Sequence, residues 1–116
     1  MTESATIPFH KICSLEEVPR NTGVCALVNG KQIAVFRVGE EDALYAIDNH
    51  DPFSKANVLS RGIVGSKGDE PKVASPVYKQ QFSLRTGQCL DDPETTVRTY
   101  PIREQDGQVY LSALPN

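Results

Sequence analysis

The residues that could do chemistry lie in two short polar stretches near the middle of the chain. The first contains Asp48 and His50, and the second contains Ser75 and Tyr78. A carboxylate beside an imidazole can hold a divalent metal ion. Ser and Tyr, however, are poor ligands for the common metals, and a stable site needs three or four good ones. The residue types therefore predict no metal site.

The sequence also predicts no catalytic group. It has neither a Ser/His/Asp set nor a G-x-S-x-G motif, and neither His10 nor His50 is close in sequence to a cysteine. Gly62, Gly65 and Gly68 lack the preceding strand and following helix of a nucleotide-binding loop, so we interpret them as flexible turns. We expect His50 to hydrogen-bond a neighbouring Asp in a loop. A proton-transfer role stays open, because histidine titrates near neutral pH.

Composition narrows the class of protein. A length of 116 residues fits one domain, 1–116, and 39% hydrophobic with 23% charged residues is typical of a globular chain. The net charge of −3 gives no basic surplus for nucleic acid. No basic N-terminal segment or long apolar run is present, which predicts no membrane association and a cytoplasmic location. Three cysteines without a C-x-x-C pair are interpreted as small, inert, buried hydrophobes: Cys13, Cys25 and Cys89.

Brief β-rich runs separated by Gly and Pro predict an antiparallel all-β fold. Asn29-Gly30 and Asp106-Gly107 each predict a tight hairpin, because both positions of a type I′ turn need positive φ. Ser14 and Glu17 have the spacing of a capping box and predict one short helical turn. We interpret 49–70 as a surface loop without periodicity, and we expect 112–116 to fray.

The second polar stretch carries a resemblance to a known family. Val73-Ala-Ser-Pro-Val-Tyr78, Phe82 and Thr86-Gly87 resemble the Val-x-Cys-Pro-x-His, Phe and Thr-Gly pattern of Rieske [2Fe–2S] domains, and Leu59-Ser-Arg-Gly62 resembles their Leu-Ser-x-Gly segment. Asp48-Asn49-His50 is similar to the Cys-x-His of the first ligand pair. The resemblance implies an all-β, Rieske-like antiparallel β-sandwich. Its base sheet would comprise about 8–43 and 91–112, with a smaller inserted subdomain of about 44–90.

A Rieske cluster needs two thiolates and two imidazoles. On this alignment the four ligand positions are Asp48, His50, Ser75 and Tyr78, and His50 alone keeps a ligand of the family. The resemblance therefore implies a domain without its cluster and without any cofactor of its own. We expect Ser75 and Tyr78 to fill the space left by the cluster and to hydrogen-bond within it.

Over nearly its full length the chain resembles the small subunits of bacterial assimilatory NAD(P)H-dependent nitrite reductases. The matching segments are Thr22–Leu27, Asp51–Phe53, Val58–Gly62, Val73–Pro76, Lys79-Gln80 and Asp106-Gly107. The resemblance implies a non-catalytic subunit. Its partner would be a large subunit that uses NAD(P)H, carries FAD, sirohaem and an iron–sulfur cluster, and reduces nitrite to ammonium.

An aromatic ring beside cations suits a protein interface. The residues expected to meet the partner are Asp51, Pro52, Phe53, Arg61 and Lys79. Phe53 could equally fold back onto its own subdomain. Two other functions stay open: a Rieske-type ferredoxin with an unusual cluster, or a Rieske-like regulator of another oxidoreductase with a ligand pocket in place of the cluster.

Overall fold

The computed structural model describes residues 8–116, and all of its strand pairs are antiparallel. The strands are β1 (His10–Ser14), β2 (Thr22–Val28), β3 (Lys31–Val38), β4 (Ala43–Asp48), β5 (His50–Asp51), β6 (Ala56–Asn57), β7 (Ile63–Lys67), β8 (Glu70–Ala74), β9 (Gln81–Ser83), β10 (Ile102–Gln105) and β11 (Gln108–Leu111). Short 3₁₀ turns occupy Leu15–Glu17 and Leu59–Arg61. The predicted all-β fold class is confirmed. The prediction that residues 1–6 carry no targeting signal concerns a stretch outside the described residues.

The strands form three sheets of three strands and one small two-stranded ribbon. Their orders are β1-β11-β10, β2-β3-β4, β7-β8-β9 and β5-β6. The β2-β3-β4 sheet is the middle layer, because one hydrophobic cluster joins it to the β1-β11-β10 sheet and a second joins it to the β7-β8-β9 sheet. Within the described residues, no helix has the length and apolar character needed to cross a membrane.

Strand β3 is buried on both faces, which explains its unbroken apolar run. Ile33 and Val35 belong to the cluster shared with the terminal strands, whereas Ala34 and Phe36 belong to the cluster shared with the β7-β8-β9 sheet. Successive side chains of a strand point to opposite faces, so a central strand covered on both sides needs apolar residues at every position. The two cores are therefore built on one shared strand.

The predicted tight turns are confirmed by their backbone geometry. Asn29 and Gly30 have φ angles of 51° and 79°, and Asp106 and Gly107 have 54° and 80°. The predicted capping box is also present, since the Glu17 carboxylate accepts a hydrogen bond of 2.8 Å from the Ser14 backbone nitrogen. The turns and the capping box could be predicted from the sequence because each depends on only two to four neighbouring residues.

The structure corrects the predicted loop at 49–70 and the predicted ends of the inserted part. The segment contains β5, β6 and β7, and two of these strands have only two residues, too few for a periodic pattern. Strand β4 pairs with β3 along its whole length, so it belongs to the middle sheet and the inserted part starts after Asp48.

The predicted fraying of the C-terminus is wrong. Ser112 and Ala113 are buried, and the Asn116 backbone nitrogen donates a hydrogen bond of 2.9 Å to the Thr99 carbonyl. The Lys31 ammonium also donates to the Ala113 carbonyl at 3.2 Å. Two cysteines likewise depart from their interpretation as buried residues. Cys25 is exposed on β2 and Cys13 is half-buried on β1, while Cys89 is buried as expected.

We predict that Gly87→Ala destabilises the fold more than Gly39→Ala does. Both glycines have positive φ, 81° and 77°, and an L-residue there costs about 1–2 kcal/mol. At Gly87 an added Cβ would also lie 2.2 Å from the Val97 carbonyl oxygen, whereas nothing lies within 4 Å at Gly39. Chemical denaturation of both variants measures the difference. Equal losses in free energy of unfolding would contradict the close packing at Gly87.

Candidate degenerate cluster site

A buried carboxylate joins the two loops that the sequence singled out. Asp51 is fully buried, and its Oδ2 accepts a hydrogen bond of 2.5 Å from the Ser75 hydroxyl. The Ser54 hydroxyl donates to the same oxygen at 2.9 Å, and the Phe53 backbone nitrogen donates to Oδ1 at 2.9 Å. A buried carboxylate is tolerated when several donors replace its water. Asp51 meets that condition with donors from both loops.

The loop after β8 closes on itself around Ser75. The Ser75 backbone nitrogen donates to the Gln80 carbonyl at 2.9 Å, and the Lys79 backbone nitrogen donates to the Ser75 carbonyl at 3.1 Å. Lys79 takes a positive φ of 69° to make this turn. The Val77 backbone nitrogen also donates to the Ser75 hydroxyl at 3.3 Å. Ser75 therefore shapes its own loop and ties that loop to Asp51.

Asn49 anchors the other loop, a role that sequence reasoning missed. Its buried amide donates to the Gln32 side chain and to the Asn57 carbonyl, both at 3.1 Å, and its carbonyl oxygen accepts from the Ser60 backbone nitrogen at 2.7 Å. An Asn that follows a strand is common in loops. Its position between two candidate ligands was the only hint in the sequence.

The side chains of Asp48 and His50 hydrogen-bond residues other than Ser75. The Asp48 carboxylate accepts hydrogen bonds from the Tyr100 hydroxyl and, at 3.0 Å, from the Arg98 backbone nitrogen, so it fastens β4 to the segment before β10. Burial, together with the bond to Asp48, raises the pKa of Tyr100 to about 12. His50 is exposed, and its Nδ1 lies 3.1 Å from the Asn57 side chain instead of the expected Asp.

Tyr78 also differs from its prediction. Its side chain is 61% exposed, so it does not fill the space beside Ser75. Phe53 is half-buried and packs against Phe82 with the ring centroids 6.1 Å apart. The reading in which Phe53 folds back onto its own subdomain therefore fits the structure, and Phe53 supplies the apolar volume that was expected of Tyr78.

The residues predicted to meet a partner differ in accessibility. Arg61 and Lys79 are exposed and Pro52 is half-buried, whereas the Asp51 side chain is engaged inside the protein. Among these predicted residues, therefore, the two cations are the ones that present exposed side chains.

These side chains do not suit a [2Fe–2S] cluster. Asp51 and Phe53 have the i, i+2 spacing of Cys-x-His, and Asp51 contacts Ser75, but neither residue is a thiolate or an imidazole. The Asp51 oxygens are occupied by internal donors, and the Ser75 hydroxyl is one of them. Over residues 8–116, no group of three or more His, Cys, Asp or Glu side chains could hold a metal ion.

The sequence and the fold have known relatives. The Rieske-like [2Fe–2S] domain profile matches residues 8–112. The nitrite reductase (NADH) small subunit of Salmonella typhimurium is 44% identical over 103 residues, which cover 89% of this chain and 95% of that protein. The NAD(P)H nitrite reductase large subunit of Klebsiella oxytoca is 45% identical over 104 residues, 90% of this chain but only 11% of that protein's length. The solved NAD(P)H nitrite reductase small subunit of Erwinia carotovora superposes with a TM-score of 0.77 at 44% identity, over 93% of this chain and 83% of that one.

The chain therefore belongs to the Rieske-like [2Fe–2S] domain family, as its degenerate loops and antiparallel sheets indicate. Within that family it belongs to the nitrite reductase small subunits, because it matches such a subunit over nearly the whole of both sequences. The resemblance that was drawn from the motifs is confirmed.

We predict that Asp51→Asn lowers the free energy of unfolding at neutral pH by about 1–3 kcal/mol. Burial raises the pKa of Asp51, but hydrogen bonds from Ser75, Phe53 and Ser54 outweigh it and hold that pKa below its ordinary value of 3.8. The stabilisation is therefore present above about pH 4 and is lost as pH falls through the lower folded pKa.

Denaturation at a series of acidic pH values checks this prediction, with the exposed Asp69→Asn as the matched control. Hydrogen bonds from Arg20 and Arg37 lower the pKa of Asp42 to about 2. Asp42 therefore contributes to the acid dependence of stability in the same pH range, and it does so in every variant. Asp51→Asn should flatten the acid dependence while Asp69→Asn leaves it unchanged. If the two variants are indistinguishable from each other, the buried Asp51 carboxylate does not bind its donors as described.

Proposed function

We propose that this chain is the non-catalytic small subunit of an NAD(P)H-dependent nitrite reductase and that it binds the catalytic large subunit. The observation that carries the proposal is the match to two kinds of polypeptide. The chain aligns with almost all of a separate small subunit, and it also aligns with a short stretch of a large subunit. The domain is a separate chain in one organism and part of the large chain in another. Joining two chains raises their effective concentration for each other, which favours a contact that the separate chains also make.

The chemistry of the described residues supports a binding role. Over residues 8–116, no histidine ring hydrogen-bonds a hydroxyl or a thiol, so a nucleophile paired with a histidine base is missing there. By the family resemblance, the large subunit would carry FAD, sirohaem and an iron–sulfur cluster, use NAD(P)H and reduce nitrite to ammonium. The small subunit would bind no cofactor and would act in the cytoplasm beside its partner.

A ferredoxin role is the second function considered, and the side chains of the site argue against it. Electron transfer through a [2Fe–2S] centre needs four ligands of the kinds that hold iron. In their place the chain has a Ser75 hydroxyl, an exposed Tyr78 phenol and a carboxylate that is already hydrogen-bonded to its own loop. A regulator would need a ligand pocket there, whereas one groove of about 410 Å³ lies between β1 and β2 and another of about 240 Å³ is lined by Tyr45, Arg85 and Thr99.

We expect this chain and the large subunit to form a stable complex when they are purified together. Omitting the chain should lower either the rate of NAD(P)H-dependent nitrite reduction or the thermal stability of the large subunit, because a bound partner stabilises the folded state by mass action. Size-exclusion chromatography detects the complex, a nitrite-dependent NAD(P)H oxidation assay measures the rate, and thermal denaturation measures the stability. If the chains neither co-elute nor alter each other's activity or stability, the proposal fails.

The same preparation separates the two functions. The isolated chain should contain no iron or labile sulfide and should be colourless, even when it is purified without oxygen. Stoichiometric iron and sulfide with visible absorption would instead support a ferredoxin.

A further inference from the structure

One end of the inserted part exposes several large side chains next to one another. We define the tip patch as Arg61, Ile63, Val77, Tyr78 and Lys79. Ile63 is 70% exposed, Tyr78 61% and Val77 45%, and both cations are exposed as well. Exposed apolar side chains that occur singly need no explanation, but a cluster of them marks a contact site.

The backbone places these residues side by side. Ile63 on β7 is paired with Ala74 on β8, and the 75–79 loop begins at the next residue. The two segments are also tightly packed, since a Cβ added at Gly62 would lie 2.3 Å from the Ala74 carbonyl oxygen. Arg61 and Ile63, on either side of that glycine, therefore lie next to the base of the loop that carries Val77 and Tyr78.

The charge of this region is opposite in sign to that of the whole chain. The chain has 15 acidic and 12 basic residues, yet neither 52–66 nor 75–81 contains an Asp or Glu. Both stretches contain cations, namely Lys55, Arg61 and Lys79, all of which are exposed. Within the described part of the chain, none of the three takes part in a salt bridge. The exposed Asp91 carboxylate accepts a hydrogen bond of 2.7 Å from the Gln81 backbone nitrogen, at the far end of the second stretch. The five residues of the patch itself are apolar or positively charged, and they can pair with an acidic surface.

The loop that carries the patch is held in place before any partner arrives. Its ends are closed by backbone hydrogen bonds at Ser75, and Ser75 is fixed in turn by Asp51. A preorganised loop loses little conformational entropy on binding, which favours affinity. Tyr78 has little packing role in the folded chain, but an exposed Tyr is a common interface anchor.

We propose that the tip patch is the docking surface for the large subunit, and that it fits an apolar depression bordered by Asp or Glu side chains. This inference rests on the proposed function and adds the surface and the partner chemistry to it. Two residues of the interface predicted from the sequence are left out, because Asp51 is buried and Phe53 packs on Phe82. The apolar contacts with the partner are instead Ile63, Val77 and Tyr78. Exposed aliphatic and aromatic groups favour a protein partner over a phosphate-rich one.

The inference is tested by measuring the dissociation constant of the complex between the purified chain and the purified large subunit. The measurement is made for two pairs of variants, each with one change in the tip patch and one matched control. Tyr78→Ser is paired with Leu27→Ser, because Leu27 is 72% exposed on β2 of the middle sheet. Arg61→Glu is paired with Lys11→Glu, because Lys11 is exposed on β1. We expect Tyr78→Ser to weaken binding at least ~10-fold. Arg61→Glu should weaken it several-fold in dilute salt and less at ~0.5 M salt, where screening is strong.

Both control variants should bind as the unmodified chain does, and thermal denaturation should show that all four keep the fold. If the unmodified chain binds while the tip variants and the controls bind equally well, the docking surface lies elsewhere and the proposed function stands. If the unmodified chain does not bind the large subunit, the proposed function itself is contradicted. Weakened binding by Leu27→Ser alone would point to the groove beside β2 and overturn the inference.

Discussion

The hydrogen bond between Asp51 and Ser75 is the contact on which the rest of this structure depends. It connects two loops from different parts of the chain, a connection that an inorganic cluster provides in the family that the chain resembles. A buried carboxylate is costly without donors, yet here hydroxyl and backbone donors surround it. In this structure, hydrogen bonds between ordinary side chains therefore hold the two loops together.

Without cluster ligands, the end of the molecule that carries the tip patch exposes side chains that can contact a partner. With the carboxylate turned inward and the loop closed at Ser75, the residues beyond it point into solvent as Val77 and Tyr78. An exposed phenol beside cations can contact another protein. Recognition of a partner is the function that we propose for this end of the molecule.

Much of the fold could be predicted from short-range patterns. The Asn29-Gly30 and Asp106-Gly107 turns, the Ser14 capping box and the all-β class each follow from a few adjacent residues. The site was harder, because Asp48 and Asp51 are both acidic residues that flank His50, and no local rule says which of them faces Ser75. That choice depends on how strand β4 ends, with Asp48 bound to the segment before β10.

A double-mutant cycle on Asp51 and Ser75 tests the central contact most directly. The free energy of unfolding is measured for the unmodified chain, Asp51→Ala, Ser75→Ala and the double variant. A hydrogen bond between a hydroxyl and a buried carboxylate predicts a coupling of about 1.5–3 kcal/mol. Losses that add to within about 0.5 kcal/mol would show that the two loops are held together by something else, and would contradict this account.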